Sequence, residues 1–165
     1  SLGTCAALAS ATLPSMAPLL RIRRLDPRAA LPRYQSELAA GLDLAVLLPE
    51  GTEAVVIEPG RIVLCRTGLA IAIPAGFEAQ VRPRSGLASK SGVTLPNAPG
   101  TIDADYRGEV MVPLINLGRE PYRLVHGTRI AQMVIAPVAQ ARIVEVDSLD
   151  ETARGTGGFG STGGH

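Results

Sequence analysis

Thirteen prolines and 18 glycines are scattered along all 165 residues of the chain. Proline removes a backbone donor and fixes φ, and glycine weakens any regular element, so a chain punctuated this often has no room for many long helices. The runs between the breaks fit strands instead. LLRIRRL (19–25) alternates apolar and basic residues with period 2. AVVIEP, RIVLCRT, LAIAIP, FEAQVRP, EVMVPLIN, YRLV, RIAQMVIAPV and ARIVEV follow, short segments mostly bounded by Gly, Pro, Asn or Asp. This spacing predicts an all-β jelly roll or barrel. In FEAQVRP, Phe77, Ala79 and Val81 are expected to face the core and Glu78, Gln80 and Arg82 to face out. The one place for a short helix is SGLASKSG (85–92), and its two glycines limit it. The chain is 46% hydrophobic but only 3% aromatic, so its core must be built from Val, Ile, Leu and Ala. One compact domain is expected at this length.

Sixteen basic and 15 acidic side chains leave a net charge of +1, which provides no sequence-wide field for a nucleic-acid backbone. A polymer-binding protein is disfavoured. Cys5 and Cys65 lie far apart, with no Cys or His at metal-ligand spacing, and read as free thiols of a reducing, cytoplasmic compartment. The first 18 residues are apolar but lack a basic start and are broken by Pro14 and Pro18, so a membrane span is not expected. They read as a disordered Ala/Ser-rich extension, with a targeting segment as the alternative. Residues 19–150 are the expected β-domain, and the Gly-rich stretch 151–165 cannot bury enough surface to fold alone.

Five segments carry polar residues that a simple core or loop does not explain. AAGLDL (39–44) sets Asp43 inside an apolar strand, either as a turn-bonding carboxylate or as one held near a hydrated metal. PRSGLA (83–88) places Arg84, Ser85 and Gly86 in the turn after a strand, a Ser-capped turn or a cradle for phosphates. GTIDADYRGE (100–109) gathers Asp103, Asp105, Tyr106 and Arg107. It can be read as a hairpin loop; if it is extended, Asp103 and Asp105 share a face and Tyr106 offers a ring to a sugar. RIAQMVIAPV (129–138) is a core strand apart from Gln132. In the tail, Gly155, Gly157 and Gly160 have G-x-G-x-x-G spacing, yet no βαβ unit surrounds them and only five residues follow. The tail reads either as a linker or as an arm in which Arg154, Phe159, Ser161 and Thr162 meet a phosphate and a base. His126 and His165 are isolated and expected to face solvent. No P-loop, HExxH, Ser-His-Asp order or CxxC is present.

In order and spacing these five segments resemble the five motifs of the trimeric dUTPase family, from about residue 19 to the terminus. The resemblance implies a jelly-roll-like, β-clip subunit, a homotrimer, and three active sites each built from several chains. It implies Mg²⁺-dependent hydrolysis of dUTP to dUMP and pyrophosphate, limiting uracil in DNA and supplying dUMP for dTMP synthesis. Carried over by motif, Asp103 would activate the attacking water, and Tyr106 would stack on deoxyribose and exclude a 2′-hydroxyl. Asn97, with Gly100, Thr101, Ile102 and Met111, would form the uracil and sugar pocket. Arg84, Ser85, Gly86 and Gln132 would contact the triphosphate, and Asp43 would reach Mg²⁺ through coordinated water, with no direct protein ligand. The tail would be a flexible closing arm in which Arg154, Phe159, Gly160, Ser161 and Thr162 meet the nucleotide. A dCTP deaminase shares the implied fold but needs acid–base groups at the base, which the IDADY segment does not match. A non-catalytic nucleotide sensor is the third reading, disfavoured by Asp103 and the intact tail.

Overall fold

The computed structural model describes residues 17–158. Among these, the strands are β1 Arg21–Arg24, β2 Leu42–Ala45, β3 Ala54–Ile57, β4 Ile62–Ala72, β5 Phe77–Pro83, β6 Val93–Thr94, β7 Gly100–Ile102, β8 Glu109–Asn116, β9 Tyr122–Val125 and β10 Arg129–Pro137. One helix, α1 Ser85–Ser91, interrupts them and ends on Gly92 in the left-handed conformation. The architecture is all-β and jelly-roll-like: a sheet of order β1-β4-β8-β6, a second of order β2-β10-β5-β7, and a ribbon of β3 with β9.

The core is aliphatic throughout. Leu44, Ile57, Leu69, Val110, Val112, Leu114, Leu124, Ile130 and Met133 are fully buried, while Phe77 and Tyr122 only pack against the margin. Strand β8 shows how the alternation works: Val110, Val112, Leu114 and Asn116 point inward, and Glu109, Met111, Pro113 and Ile115 outward. Each such Val or Leu gains roughly 1.5–3 kcal/mol on burial. Pro113 sits beyond the reach of the two-residue β6, where β8 has an open edge that tolerates a residue without an N–H. The buried Asn116 ends the strand fully satisfied: its amide donates to the carbonyls of Ile57 and Glu120, both at 2.8 Å, and its Oδ1 accepts Gly118 N–H at 2.8 Å.

Two expectations are corrected. RIVLCRT and LAIAIP are not separate strands; they form the single β4, bent by a bulge at Gly68, where the pairing register with β8 shifts between Arg66 and Ala70. Gly68 has φ +70°, and a Cβ there would approach Leu47 and Ala29 to 2.7 and 2.8 Å, so glycine bends the strand without ending it. ARIVEV is not a strand. Its alternation is strand-like, but no sheet edge of its own subunit receives it, and Ile143 stands 93% exposed.

Cys65 is buried and free, and burial pushes its thiol up to about 11. Cys5 lies outside the described residues. His126 is exposed as expected but not idle, because its Nδ1 accepts Leu48 N–H at 3.2 Å. Among the described residues no helix is long and apolar enough to cross a membrane.

Candidate active site

The predicted residues gather in two places. The first is a cleft of about 390 Å³ at one end of the second sheet, lined by Asp43, Arg84, Ser85, Gly86, Arg129 and Gln132, with Gln35 and residues 39–41 at its rim. Antiparallel pairing creates it: Asp43 on β2 stands opposite Gln132 on β10, which stands opposite Arg82 on β5. The Asp43 carboxylate forms an ion pair with Arg84, Oδ1 to Nε at 3.0 Å, and accepts from Arg129 Nη1 on Oδ2 at 2.9 Å. Two guanidinium groups against one carboxylate leave the cleft with a surplus positive charge. Gln132 donates to the Pro83 carbonyl at 2.9 Å and lies beneath Gly41, where a Cβ would come within 2.6 Å of its Oε1. Gln132 is thus half-buried at the cleft wall rather than in the core. A Cβ on Gly86 would meet nothing in the subunit, so this glycine leaves room in the cleft rather than relieving an internal clash. No side chain caps the first turn of α1, so its leading amides are left without a side-chain acceptor.

The second place lies where β7 runs into β8. Thr101, Ile102, Asp103, Tyr106, Glu109, Val110 and Met111 line a pocket of about 200 Å³. Beyond Ile102 the chain turns, with Tyr106 N–H donating to the Asp103 carbonyl at 3.2 Å, so IDADY is not extended and Asp103 and Asp105 do not share a strand face. Asp103 ends exposed at the junction between this pocket and a wider cleft of about 650 Å³ that holds Glu78 and Asp105. Arg107 Nη1 ties the turn together by donating to the carbonyls of Ala104 and Tyr106 at 2.6 and 2.8 Å. The Tyr106 ring folds back over Gly108, where any Cβ would collide with it, and its hydroxyl donates to the Glu109 carbonyl at 2.9 Å. Gly100 is buried on β7, and a Cβ on it would lie 3.2 Å from the Asn97 amide nitrogen, so Asn97 stands against the start of this pocket.

The two places do not meet within one subunit. Ile102 pairs with Ala79, four residues from Pro83 along β5, a separation of roughly 13 Å at the rise of a strand. Asp103 and Arg84 continue in opposite directions from those ends. Arg154, in the turn of residues 152–157, donates to the Gly157 carbonyl at 2.8 Å and touches neither place. Phe159, Gly160, Ser161 and Thr162 lie outside the described residues.

Sequence reasoning missed Arg129, Gly41, Gly108 and Glu109. The isolated Asp43 signalled that some cation must face it, but only strand register selects Arg129 from 16 basic residues. Nothing in the sequence marks Glu109.

A dUTPase family profile matches residues 27–163. The deoxyuridine 5'-triphosphate nucleotidohydrolase of Beijerinckia indica is 57% identical over 152 residues, covering 91% of this chain and 94% of the relative. That of Desulfotalea psychrophila is 61% identical over 134 residues, covering 81% and 87%. Among solved structures, a mutant Staphylococcus bacteriophage 80alpha dUTPase with dUpNHpp superposes with a TM-score of 0.75 at 27% identity, covering 88% of this chain and 98% of that one. A mutant dUTPase from phage phi11 of S. aureus, described with a structural Mg(II) ion, gives a TM-score of 0.69 at 25% identity, covering 79% and 97%. Agreement along nearly the whole length of both curated relatives, added to a profile that begins before the first motif and reaches through the last, places the chain in the dUTPase family.

Proposed function

We propose that this protein hydrolyses dUTP to dUMP and pyrophosphate as a cytoplasmic homotrimer, with Asp103 of one subunit acting on a triphosphate bound in the Arg84 cleft of another. The observation that carries this reading is the split of the site. An exposed carboxylate beside a nucleoside-sized pocket lies at one end of β5, and a cationic cleft lies at the other. A single nucleotide cannot use both ends of one chain, and a threefold ring brings unlike ends together.

Three features of the subunit favour such a ring. The outward face of the first sheet is apolar and uncovered, with Ile62, Leu64, Met111, Pro113 and Ile115 in cross-strand rows. Met111 belongs both to that face and to the Asp103 pocket. Residues 138–149 leave the domain without a strand partner and with apolar side chains exposed. We assign residues 19–150 to the β-domain and 151–165 to an arm that closes over the nucleotide, in which Arg154, Ser161 and Thr162 contact phosphate and Phe159 with Gly160 covers the base.

In the reaction, Asp103 takes a proton from a water as its oxygen attacks the α-phosphorus. The bond from that phosphorus to the bridging oxygen breaks, and pyrophosphate departs. Tyr106 supports the deoxyribose, and Asn97 with the backbone of residues 100–102 reads the uracil edge. Arg84, Arg129, Gln132 and the amides near Ser85 and Gly86 hold phosphate oxygens as charge redistributes. Mg²⁺ fits this donor set as a hydrated ion. Both Asp43 oxygens are engaged by guanidinium groups, and no trio of His, Cys, Asp or Glu clusters among the described residues, so Asp43 would reach the ion through its waters. When bound, Mg²⁺ would neutralise the triphosphate and its leaving group. The activity would limit uracil in DNA and supply dUMP for dTMP synthesis.

The test is pyrophosphate release with dUTP, UTP, dTTP and dCTP, with and without Mg²⁺, for the wild type and Asp103→Asn. Preference for dUTP, dependence on Mg²⁺ and near-complete loss of kcat with retained dUTP affinity are expected. A variant keeping more than about a tenth of wild-type kcat would remove Asp103 from its role.

A further inference from the structure

We infer that Glu109 is a positioning residue for Tyr106, and that through Tyr106 it sets the discrimination between deoxyribose and ribose. The inference rests on the reading of the Asp103 pocket as the nucleoside site, and adds to it a residue that acts through Tyr106.

The starting point is the bulge in β4. At Gly68 the ladder to β8 loses its register, and side chains replace the missing backbone partners. Thr67 Oγ1 donates to the Val110 carbonyl at 2.7 Å and accepts Leu69 N–H at 3.3 Å. The Gly68 N–H donates to Glu109 Oε1 at 2.7 Å. Arg66 Nε donates to the same carboxylate, 3.2 Å from Oε1 and 3.1 Å from Oε2. Glu109 is thereby clamped to the bulge at the first residue of β8, and its side chain remains mostly covered.

The other end of Glu109 holds the ring. Its carbonyl accepts the Tyr106 hydroxyl at 2.9 Å, while Gly108 leaves the room that the ring and its hydroxyl occupy. Tyr106 is 43% exposed, so little besides this bond and the Gly108 seat fixes where its ring stands in the pocket. Release of the carboxylate leaves the start of β8 held only by its pairing with Ala70 across the bulge, so the acceptor carbonyl can shift and the ring with it, away from the sugar position. Room for a 2′-hydroxyl depends on that placement, since a shift of about an ångström is enough to admit one more oxygen.

The experiment compares kcat/KM for dUTP and UTP in the wild type, Glu109→Ala, Glu109→Gln, Tyr106→Phe and the double variant Tyr106→Phe with Glu109→Ala. Glu109→Ala should lower the dUTP/UTP ratio by roughly tenfold, the scale of one lost positioning hydrogen bond. Glu109→Gln keeps an acceptor oxygen for Gly68 and should restore most of the ratio. Tyr106→Phe keeps the ring but cuts its tether and should reproduce the loss, with the double variant no worse than either single change. Equal losses for both nucleotides with an unchanged ratio would make Glu109 merely structural and overturn the inference. So would an additive double variant. A wild type that does not favour dUTP would instead fail the nucleoside reading beneath it.

Discussion

Two chains that are each inactive should make a working site together under the proposed split, in which Asp103 of one subunit and Arg84 of another serve one nucleotide. The perturbation pairs Asp103→Asn with Arg84→Ala on separate chains carrying different affinity tags. Passage over both tags keeps only mixed trimers, which contain the chains in a ratio of two to one or one to two. In the proposed trimer each site takes its carboxylate from one subunit and its cationic cleft from the next around the ring. Going around a mixed ring, there is one junction at which an intact Asp103 meets an intact Arg84, whichever chain is in excess. Mixed trimers should therefore show about one third of the wild-type rate of pyrophosphate release per trimer, although both parent homotrimers are nearly silent. The geometry behind this is the spacing along β5, where Ala79, paired with Ile102, and Pro83 already stand roughly 13 Å apart. Activity no greater than the weighted mean of the parents would show that each chain completes its own site, and would refute the split.

Leu64→Asp, on the open outer face and 60% exposed in the subunit, should leave the fold intact but weaken assembly, and light scattering that still finds a stable trimer at micromolar concentration would count against that interface. Deleting everything after Asp150 should keep the assembled size and thermal midpoint while kcat/KM for dUTP falls by at least about a hundredfold, from one lost base stack plus phosphate contacts. An unchanged kcat/KM would reduce the arm to a linker. Cys65 should resist an alkylating reagent at pH 8 in folded Cys5→Ser protein and react once denatured, a difference read by mass spectrometry. Its folded pKa of about 11 lies above the ordinary 9.0, so its contribution to stability is full below about 9 and is lost as pH rises toward 11. A denaturation midpoint that climbs over that interval would contradict this sign.

The strand content was legible because period-2 alternation and Gly/Pro breaks are local properties, and FEAQVRP, EVMVPLIN and YRLV form β5, β8 and β9 with those boundaries. The short helix was legible for the same reason. Motif order alone was also enough to place the chain in its family, since five weak segments in one sequence constrain each other. Gly68 misled, because a glycine in a strand looks the same whether it ends the strand or bulges it, and only the partner β8 decides. ARIVEV misled because alternation states that a face is apolar and cannot state that an edge is available to receive it. The tertiary structure alone selected Arg129 as the second cation on Asp43 and placed Glu109 between the Gly68 bulge and Tyr106, since both depend on register between strands distant in the chain. It alone, too, set Asp103 and Arg84 at opposite ends of β5: sequence records which groups a chain carries, and antiparallel pairing sets how far apart they stand.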